Sequence, residues 1–389
     1  MKIGVPKERA RHEHRVGLTP FGVQRLVGLG HEVVLEAGAG DDAHFRDIDY
    51  ETAGGRIVFH HDEVFGRSDL ICRVGVLSLN EVAMLRDDAT ICGFLHLSVA
   101  PHEVLMALAA RRATLVGYEL VEDHNGRRPM LVALSEIAGK MAIQVAGTLL
   151  QHEEGGRGLV LGGVPGIAPA TVVVLGAGTV GRTAAQTALA LGAHVIVLDS
   201  NMDKLRDAIA ACGPHLVTAV ASARNLAKYT AIADALIGAV FIPGSRAPFI
   251  VTETMVKAMK RGSVIIDLAI DQGGCVETSR PTTLGSPTFT SFGVTHYCVP
   301  NMTANAARTA SRALALSGLP FLTWMAEGGI DGALRADVGL RRGIYMYRGQ
   351  VVHAHVAQAM GVVPATLDEL LGMNRRSSAG DSGDGGELV

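Results

Sequence analysis

The stretch from Thr171 to Asp199 constrains the fold of this 389-residue chain more than any other part of it. It begins with the apolar segment TVVVL, passes through the glycine-rich turn GAGTVG and continues as an alanine-rich segment. A second apolar segment, HVIVL, follows and ends on Asp199. This order predicts a strand, a tight turn, a helix and a second strand, which together form a βαβ unit. A glycine-rich turn between a strand and a helix is the fingerprint of a dinucleotide-binding fold.

The residues of the turn each have a physical role in such a fold. Gly176 permits the tight turn, Gly178 lets the backbone approach a pyrophosphate, and Gly181 lets the helix pack closely on the strand. Thr179 and Val180 lie at the N-terminus of the helix, where unpaired N–H groups and the positive end of the helix dipole favour phosphates. These five residues are therefore predicted to bind the cofactor.

Asp199 indicates which dinucleotide the fold takes. It stands 18 residues after Gly181, at the end of the second strand, where it can accept hydrogen bonds from the adenosine ribose hydroxyls. Because its carboxylate would repel a 2′-phosphate, the sequence favours NAD over NADP.

Composition and charge narrow the class of protein further. A formal net charge of −3 gives no reason to expect nucleic acid or an acidic membrane surface as a partner. Every apolar run is broken before it reaches membrane-spanning length, and the N-terminus lacks the apolar centre of a signal peptide. The five cysteines are scattered and lack CxxC spacing, which indicates reduced thiols. We therefore expect a cytoplasmic protein that has neither a disulfide framework nor a metal site.

The chain before the fingerprint alternates short strands and helices, and this alternation predicts a mainly parallel sheet covered by helices. The predicted elements are strands at Lys2–Val5, Glu32–Glu36, Asp69–Val74, Ala89–Leu97 and Thr114–Tyr118, and helices at Phe21–Leu29, Glu103–Ala110 and Ser135–Gln151.

The order of elements predicts a domain that is interrupted by another. A polar turn at residues 123–129 is a candidate seam, and the chain after Ala304 is helical but too short for a further domain. We therefore predict one domain from residues 1–130 and 305–373 and a nucleotide-binding domain from residues 131–304, with a cleft between them. The polar, glycine- and serine-rich tail at residues 374–389 is predicted to be disordered.

Nine further segments, taken with the fingerprint, resemble those of a known family. They are IGVPKE (Ile3–Glu8), RVGLTP (Arg15–Pro20), GHEVVLEAGAG (Gly30–Gly40), FLHL (Phe94–Leu97), SEIAGKMA (Ser135–Ala142), GGRGLVLGGVPGIAPA (Gly155–Ala170), IGAVFIPGSRAP (Ile237–Pro248), DLAIDQGGCVETSRPTT (Asp267–Thr283) and HYCVPNM (His296–Met302). Taken together, these segments strongly resemble the alanine dehydrogenases, a family related to the N-terminal region of proton-translocating transhydrogenase. The resemblance covers about residues 1–360.

The resemblance implies an α/β fold of two Rossmann-like domains with mainly parallel sheets, in which the NAD-binding domain interrupts the substrate domain. Substrate and nicotinamide would meet in the cleft. The implied reaction interconverts an L-amino acid and NAD with a 2-oxo acid, ammonia and NADH. The family also implies a homo-oligomer, a hexamer or a dimer.

Three residues match the catalytic positions of the family. Arg15 corresponds to the residue that binds the substrate carboxylate, for which a planar and permanently charged guanidinium is suited. His96 corresponds to the general acid/base, since an imidazole titrates near neutrality. Asp271 corresponds to the active-site aspartate, which would support the acid–base work and approach the cofactor.

Other matching residues complete the implied site. Asn301 and Met302 match a loop near the nicotinamide and the substrate. Ser135 would bind the cofactor near the nicotinamide, although a serine there could also begin a helix. Ala239 and Val240 would lie along the nucleotide through their backbone.

The sequence departs from the family at the substrate pocket. Gly75 stands where the family usually has a substrate-binding lysine, and Arg73, on the same face of the strand, is a candidate to compensate. Pro300 stands where alanine is usual and Thr303 where proline is usual, so the shape of this loop is expected to differ. Gly75 also opens space for a bulkier substrate.

Three functions follow from these residues. The first is an NAD-dependent dehydrogenase of alanine or a larger L-amino acid. The second is a reductase that joins an amino acid to an oxo acid, as in opine- and saccharopine-type enzymes. The third is a catalytically weak NAD-binding regulatory protein, which the missing lysine favours and the presence of Arg15, His96 and Asp271 disfavours.

Overall fold

The structure of the protein, a computed structural model, describes residues 1–241 and 247–373. The strands are β1 (Lys2–Val5), β2 (Glu32–Glu36), β3 (Arg56–Val58), β4 (Leu70–Cys72), β5 (Thr90–Gly93), β6 (Thr114–Gly117), β7 (Thr171–Leu175), β8 (His194–Asp199), β9 (Val217–Val220), β10 (Ala235–Gly238), β11 (Val264–Asp267), β12 (Thr288–Ser291), β13 (Val294–Tyr297), β14 (Ile344–Tyr347) and β15 (Gln350–Val351). The α-helices are α1 (Pro20–Gly28), α2 (Asp47–Thr52), α3 (His61–Arg67), α4 (Leu79–Met84), α5 (His102–Ala110), α6 (Pro129–Leu149), α7 (Thr179–Ala190), α8 (Met202–Cys212), α9 (Ala223–Ile232), α10 (Glu253–Lys257), α11 (Ala307–Ala336), α12 (Val338–Arg342), α13 (Ala354–Met360) and α14 (Leu367–Leu370).

The first sheet contains strands from both ends of the chain. Its order among the described residues is β15-β14-β6-β5-β4-β1-β2-β3, and its pairs are parallel apart from those that β14 makes with β6 and β15. The strands β4, β5 and β6 are buried throughout, as expected for parallel strands covered on both faces. The chain thus leaves this sheet after β6 and returns to it with β14.

The second sheet is formed by the intervening strands. Its order in the described part of the chain is β12-β13-β11-β10-β7-β8-β9, and only the β12–β13 pair is antiparallel. The chain passes from β7 to β8 on one side and later returns to β10 on the other side of β7. Such a reversal opens a crevice at the carboxyl ends of the strands, where α/β proteins bind ligands. The predicted α/β class with two mainly parallel sheets is confirmed.

Helix α6 joins the two parts of the fold. Met130 and Leu134, near its start, belong to the core of the first sheet, whereas Ala142 and Ile143 belong to that of the second. Within the described residues, α6 is the helix that is long and apolar enough to cross a membrane, a test that core helices also pass. Its contacts with both cores provide a reason for its apolar composition.

Several predicted elements have other limits in the structure; the strand predicted at Asp69–Val74, for example, spans only Leu70–Cys72 as β4. The strand predicted to reach Leu97 ends at Gly93, because the chain turns at His96, whose φ of 43° is left-handed. The chain after Ala304, predicted to be helical, forms α11, which runs to Ala336 with a kink at Gly329. The tail at residues 374–389, predicted to be disordered, lies outside the described residues, as do residues 242–246.

Candidate active site

The glycine-rich turn after β7 has the geometry that a pyrophosphate requires. Gly176 has a φ of +100°, and a Cβ placed on it would lie 2.5 Å from the carbonyl oxygen of Ala239. A Cβ on Gly181 would clash with the carbonyl oxygen of Gly176, so α7 packs directly against the turn. A Cβ on Gly178 would meet none of the described atoms within 4 Å. The turn is therefore tight where it packs on the protein and open where a phosphate would approach.

The start of α7 offers N–H groups to an anion. Gly178 is the N-cap residue and has no side chain to accept hydrogen bonds from the first turn. Thr179 and Val180, the first residues of the helix, are half-buried. On the other side, Gly139 of α6 lets that helix approach, since a Cβ there would lie 2.6 Å from the Val180 carbonyl oxygen. The N-terminus of α7 is thus fixed by packing and suited to a phosphate.

Asp199 is tied to the glycine-rich turn. Its Oδ2 accepts a hydrogen bond from the Ala177 backbone N–H at 2.7 Å, and its Oδ1 accepts one from the Asn201 N–H at 2.8 Å. A carboxylate has about four acceptor positions, so two such bonds leave capacity for ribose hydroxyls. Asp199, the residue predicted to bind the ribose, is therefore joined directly to the glycine-rich turn.

The remaining predicted cofactor residues differ in their placement. Ala239 lies beside the turn, where its backbone N–H donates to the Leu175 carbonyl at 2.8 Å, and Val240 follows it at the same edge of the sheet. Ser135 lies inside α6, which begins six residues earlier at Pro129. The prediction that a helix begins at Ser135 is wrong, because Pro129 at the first helical position starts it.

Arg15 is held by a neighbouring acid. Its Nε and Nη2 donate to the two carboxylate oxygens of Glu13 at 2.7 and 2.6 Å, and its Nη1 donates to Thr303 Oγ1 at 3.2 Å. Burial alone would raise the pKa of Glu13, but the hydrogen bonds and charge of Arg15 lower it below its usual value. The guanidinium is therefore fixed before any substrate binds.

Asn301 connects Arg15 and its partner to the predicted aspartate. Its side-chain amide donates to Glu13 Oε2 at 2.9 Å, and its backbone N–H donates to Asp271 Oδ1 at 2.8 Å. Asn301 has a left-handed φ of 53°, which lets its backbone and side chain point to different partners. The contacts thus run from the N-terminal part of the chain to the loop after β13.

Asp271 lies in the short 3-10 helix that follows β11. Its side chain is accessible to solvent, yet protein atoms surround it on most sides, and this desolvation raises its pKa. The N–H of Asn301 and the charges of His96 and Arg15 act in the opposite direction. His96 and Arg15 are therefore near enough to Asp271 to influence its charge.

His96 projects into solvent at the end of the first sheet, and its side chain is 57% exposed. Its backbone N–H donates to Glu119 Oε1 at 2.6 Å, and its Nδ1 lies 3.7 Å from the same oxygen. The hydroxyl of Tyr345 also donates to this oxygen, at 2.7 Å. An accessible imidazole on a fixed backbone is suited to exchange protons with a ligand.

Arg73 pairs with acids other than Glu13 and Glu119. It is buried, and its terminal nitrogens donate to Glu8 Oε2 at 2.9 Å and to Glu81 Oε1 at 3.2 Å. Gly75 is partly accessible, and a Cβ on it would meet only Glu8 Oε2, at 3.7 Å, among the described atoms. Each terminal nitrogen of Arg73 thus takes part in one ion pair, and its role in replacing the missing lysine stays a prediction.

The loop residues on either side of Asn301 differ in how far they are buried. Met302 is buried in the core of the second sheet, and Pro300 is exposed. The contacts and charges described above therefore group Arg15, His96, Asp271 and Asn301, whereas the role of Met302 near the nicotinamide stays a prediction.

Two acids that the sequence analysis did not select, Glu13 and Glu119, support the predicted residues. Glu13 stands two residues before Arg15, and Glu119 follows the buried strand β6. In the sequence, each is recognisable only as a charged residue beside a buried segment. Within the described residues, His, Cys, Asp and Glu form no group of three or more that could hold a metal ion.

Comparison with known proteins agrees with this arrangement. The family model described as alanine dehydrogenase/PNT, N-terminal domain, matches residues 4–138, and the corresponding C-terminal model matches residues 142–354. An alanine dehydrogenase of Halomonas elongata is 41% identical over 96% of this chain and all of its own length. One of Mycobacterium tuberculosis is 41% identical over 93% of this chain and 97% of its own length.

A solved structure extends the comparison to the fold. An L-alanine dehydrogenase matches with a TM-score of 0.88 and 40% identity, over 93% of this chain and 99% of that one. The predicted resemblance is confirmed, and this chain belongs to the alanine dehydrogenase/PNT family.

Proposed function

We propose that the protein is an NAD-dependent L-amino acid dehydrogenase that interconverts alanine, or a larger L-amino acid, with its 2-oxo acid and ammonia. The observation that carries this proposal is the series of contacts from Arg15 through Glu13 and Asn301 to Asp271. It links a cation suited to a carboxylate with an acid of raised pKa, close to the accessible His96. Family membership supports the same reaction.

The residues present fit NAD. The open space over Gly178, the uncapped N-terminus of α7 and the tied carboxylate of Asp199 would hold its pyrophosphate and ribose. Thr179, Val180, Gly176 and Gly181 would shape that site, and Ala239 and Val240 would line its edge. The nicotinamide would approach Asp271 and Asn301. When bound, NAD supplies the hydride acceptor for deamination, and NADH the donor for amination.

The protein's own residues would bind the substrate and move protons. Arg15 would hold the carboxylate through the N–H groups that Glu13 and Thr303 leave available. His96 would take a proton from the attacking amine or water and return it when the bond breaks. Asp271 would accept a hydrogen bond from the ammonia or water and fix its direction of attack.

The open space beside Gly75 supports a substrate larger than alanine. A side chain at this position would meet only Glu8 Oε2 among the described atoms, so the pocket has room where a lysine would stand. The cost is one cation fewer for the carboxylate or carbonyl.

We also propose the predicted organisation and setting. The strands of the first sheet come from residues on both sides of the second, which supports a substrate domain at 1–130 and 305–373 around an NAD-binding domain at 131–304. The family resemblance supports a homo-oligomer, a hexamer or a dimer, which light scattering can measure. Five free thiols support a cytoplasmic location.

The experiment that tests the proposal is NADH oxidation with ammonia and a series of 2-oxo acids, beginning with pyruvate and increasing in side-chain size. Turnover of pyruvate would support an alanine dehydrogenase. Turnover restricted to larger oxo acids would make Gly75 a specificity residue. If no oxo acid gives an ammonia-dependent rate, the proposal is wrong.

The space beside Gly75 also favours a second candidate function. In an opine- or saccharopine-type reductase it would admit an amino acid in place of ammonia, so amino acids replacing ammonia in the same assay would reveal this reaction. Tight NADH binding without turnover in either assay would indicate a regulatory protein.

A further inference from the structure

The hydroxyl of Thr303 meets the guanidinium of Arg15, although 288 positions separate the two residues in sequence. The distance between Thr303 Oγ1 and Arg15 Nη1 is 3.2 Å. Both residues are buried, with 6% of Thr303 and 4% of Arg15 exposed. The contact therefore lies where water competes weakly for the hydrogen bond.

The contacts of Arg15 leave a defined part of its guanidinium for a ligand. The group has five N–H donors. Glu13 takes one from Nε and one from Nη2, and Thr303 takes one from Nη1. The two that remain, one on Nη1 and one on Nη2, have no partner among the described residues. A carboxylate bound by these two donors would lie beside Thr303.

The Thr303 hydroxyl can act in two directions at once. It accepts the hydrogen bond from Arg15 with a lone pair, so its own O–H remains able to donate. In the structure it donates to Asn301 Oδ1 at 3.4 Å, which is long for a hydrogen bond from a hydroxyl. A carboxylate oxygen at normal distance would be a better acceptor for this proton.

The charges around Arg15 explain why a neutral donor such as the Thr303 hydroxyl would contribute to binding of the substrate carboxylate. Glu13 already balances the charge of Arg15 at 2.6 Å, so the pair has no net charge to attract a second carboxylate. Gly75 supplies no cation, and Arg73 is engaged with Glu8 and Glu81. Binding of the substrate carboxylate therefore depends on directed hydrogen bonds more than on net positive charge.

We propose that Thr303 is a substrate-binding residue that holds the substrate carboxylate together with Arg15. Its hydroxyl orients the guanidinium by accepting from Nη1 and donates its own proton to the carboxylate oxygen. This inference rests on the proposed function, since it names a residue of the same site.

The test compares Thr303→Val, which keeps the shape but removes the hydroxyl, with Thr303→Ser, which keeps the hydroxyl. Pyruvate, 2-oxobutyrate and 2-oxoisovalerate are the probes. We expect Thr303→Val to raise KM for the oxo acid about tenfold, the effect of one hydrogen bond to a charged group. KM for NADH is expected to stay constant, and Thr303→Ser to restore most of the affinity. Thr230→Val is the matched control, because Thr230 is buried in α9.

A binding measurement separates this inference from the proposed function. Isothermal titration calorimetry measures the Kd of each oxo acid for the enzyme–NADH complex without any turnover. If the wild type binds an oxo acid but does not reduce it, the proposed function fails, and the Kd values of the variants still test Thr303. The inference is overturned if Thr303→Val leaves KM and Kd unchanged or lowers them, or if the wild-type complex binds none of the three acids.

Discussion

The carboxylate of Glu119 binds the backbone N–H of His96. Glu119 Oε1 accepts the His96 backbone N–H at 2.6 Å, whereas the imidazole Nδ1 lies 3.7 Å from the same oxygen. Tyr345 donates its hydroxyl to this oxygen as well. The contact fixes His96 in its left-handed conformation, with φ 43°, and leaves the ring free to meet a ligand. Glu119 is thus a positioning residue for His96.

Substituting Glu119→Gln is expected to lower kcat about tenfold, because the charge-assisted bond to the His96 N–H is lost. KM for NADH is expected to stay the same, since none of the described contacts of Glu119 involves the nucleotide turn. Steady-state kinetics with the preferred oxo acid measures both constants. Tyr345→Phe, which leaves the carboxylate in place, should reduce kcat less. An equal loss of NADH affinity in the Glu119 variant would argue for general misfolding instead.

Asp199 is expected to determine the choice between NAD and NADP. Replacement with asparagine keeps the size of the side chain and removes the charge that repels a 2′-phosphate. We expect the Kd for NADH to rise about tenfold and the Kd for NADPH to fall, as measured by nucleotide fluorescence. Asp207→Asn, on the exposed face of α8, is the control and should change neither. Unchanged discrimination in the Asp199 variant would show that other residues read the ribose.

The fold could largely be predicted where local sequence determines an element. The strands β1, β2 and β7 have the predicted limits, because each is a short apolar run between turn-forming residues. The start of α6 was predicted wrongly, since the proline signal at Pro129 was read as part of a turn. The two-residue strand β15 was not predicted, because it exists only through its pairing with β14.

The site could be predicted only in part, for a similar reason. Motifs predict Arg15, His96 and Asp271 as site residues, but a motif does not show which partner holds a side chain. Glu13 reaches Asn301 across 288 positions, a relationship that appears only in the folded chain. Likewise, the sequence predicts that Arg73 lies on a strand, but it does not show the ion pairs that the buried Arg73 makes with Glu8 and Glu81.

Introducing a lysine at Gly75 is expected to strengthen binding of small oxo acids. The position is open apart from Glu8 Oε2 at 3.7 Å, so a side chain fits there and would add a cation. We expect Gly75→Lys to lower KM for pyruvate about tenfold and to reduce turnover of larger oxo acids. Gly75→Leu is the control for volume and should only exclude the larger acids. If both variants behave alike, the position acts through space and not through charge.

A network of charges runs from Arg9 at the surface to the buried Arg73, two residues before Gly75. Arg9 binds Glu36 at 3.0 Å, and Glu36 lies 2.5 Å from His61 Nδ1. His61 Nε2 is 3.3 Å from Glu81, which binds Arg73 in turn. Arg73 also binds Glu8, so the network contains three acids, two arginines and one histidine. Protonation of His61 balances the charges.

The network is expected to make stability depend on pH in two ranges. Burial raises the pKa of Glu81, but His61 and Arg73 outweigh it and lower the value from 4.5 to about 2. Stability from Glu81 is therefore complete above about pH 4.5 and lost as the pH falls toward 2. Burial lowers the pKa of His61, but Glu36 and Glu81 raise it from 6.5 to about 9. Stability from His61 is complete below about pH 6.5 and lost as the pH rises through 9.

Replacing His61 with asparagine is expected to lower the free energy of unfolding by about 2 kcal/mol at pH 6, since two buried carboxylates lose a charged partner. The difference from the wild type should narrow as the pH rises toward 9 and above, because the wild-type imidazole then loses its proton. Urea unfolding followed by circular dichroism between pH 5 and about 10 measures both curves. His60→Asn changes the exposed N-cap residue of α3, where asparagine is favoured, so it should raise the curve by a constant amount and leave its pH dependence unaltered. A gap that stays constant over this range would mean that His61 stabilises the protein by packing and not by its charge.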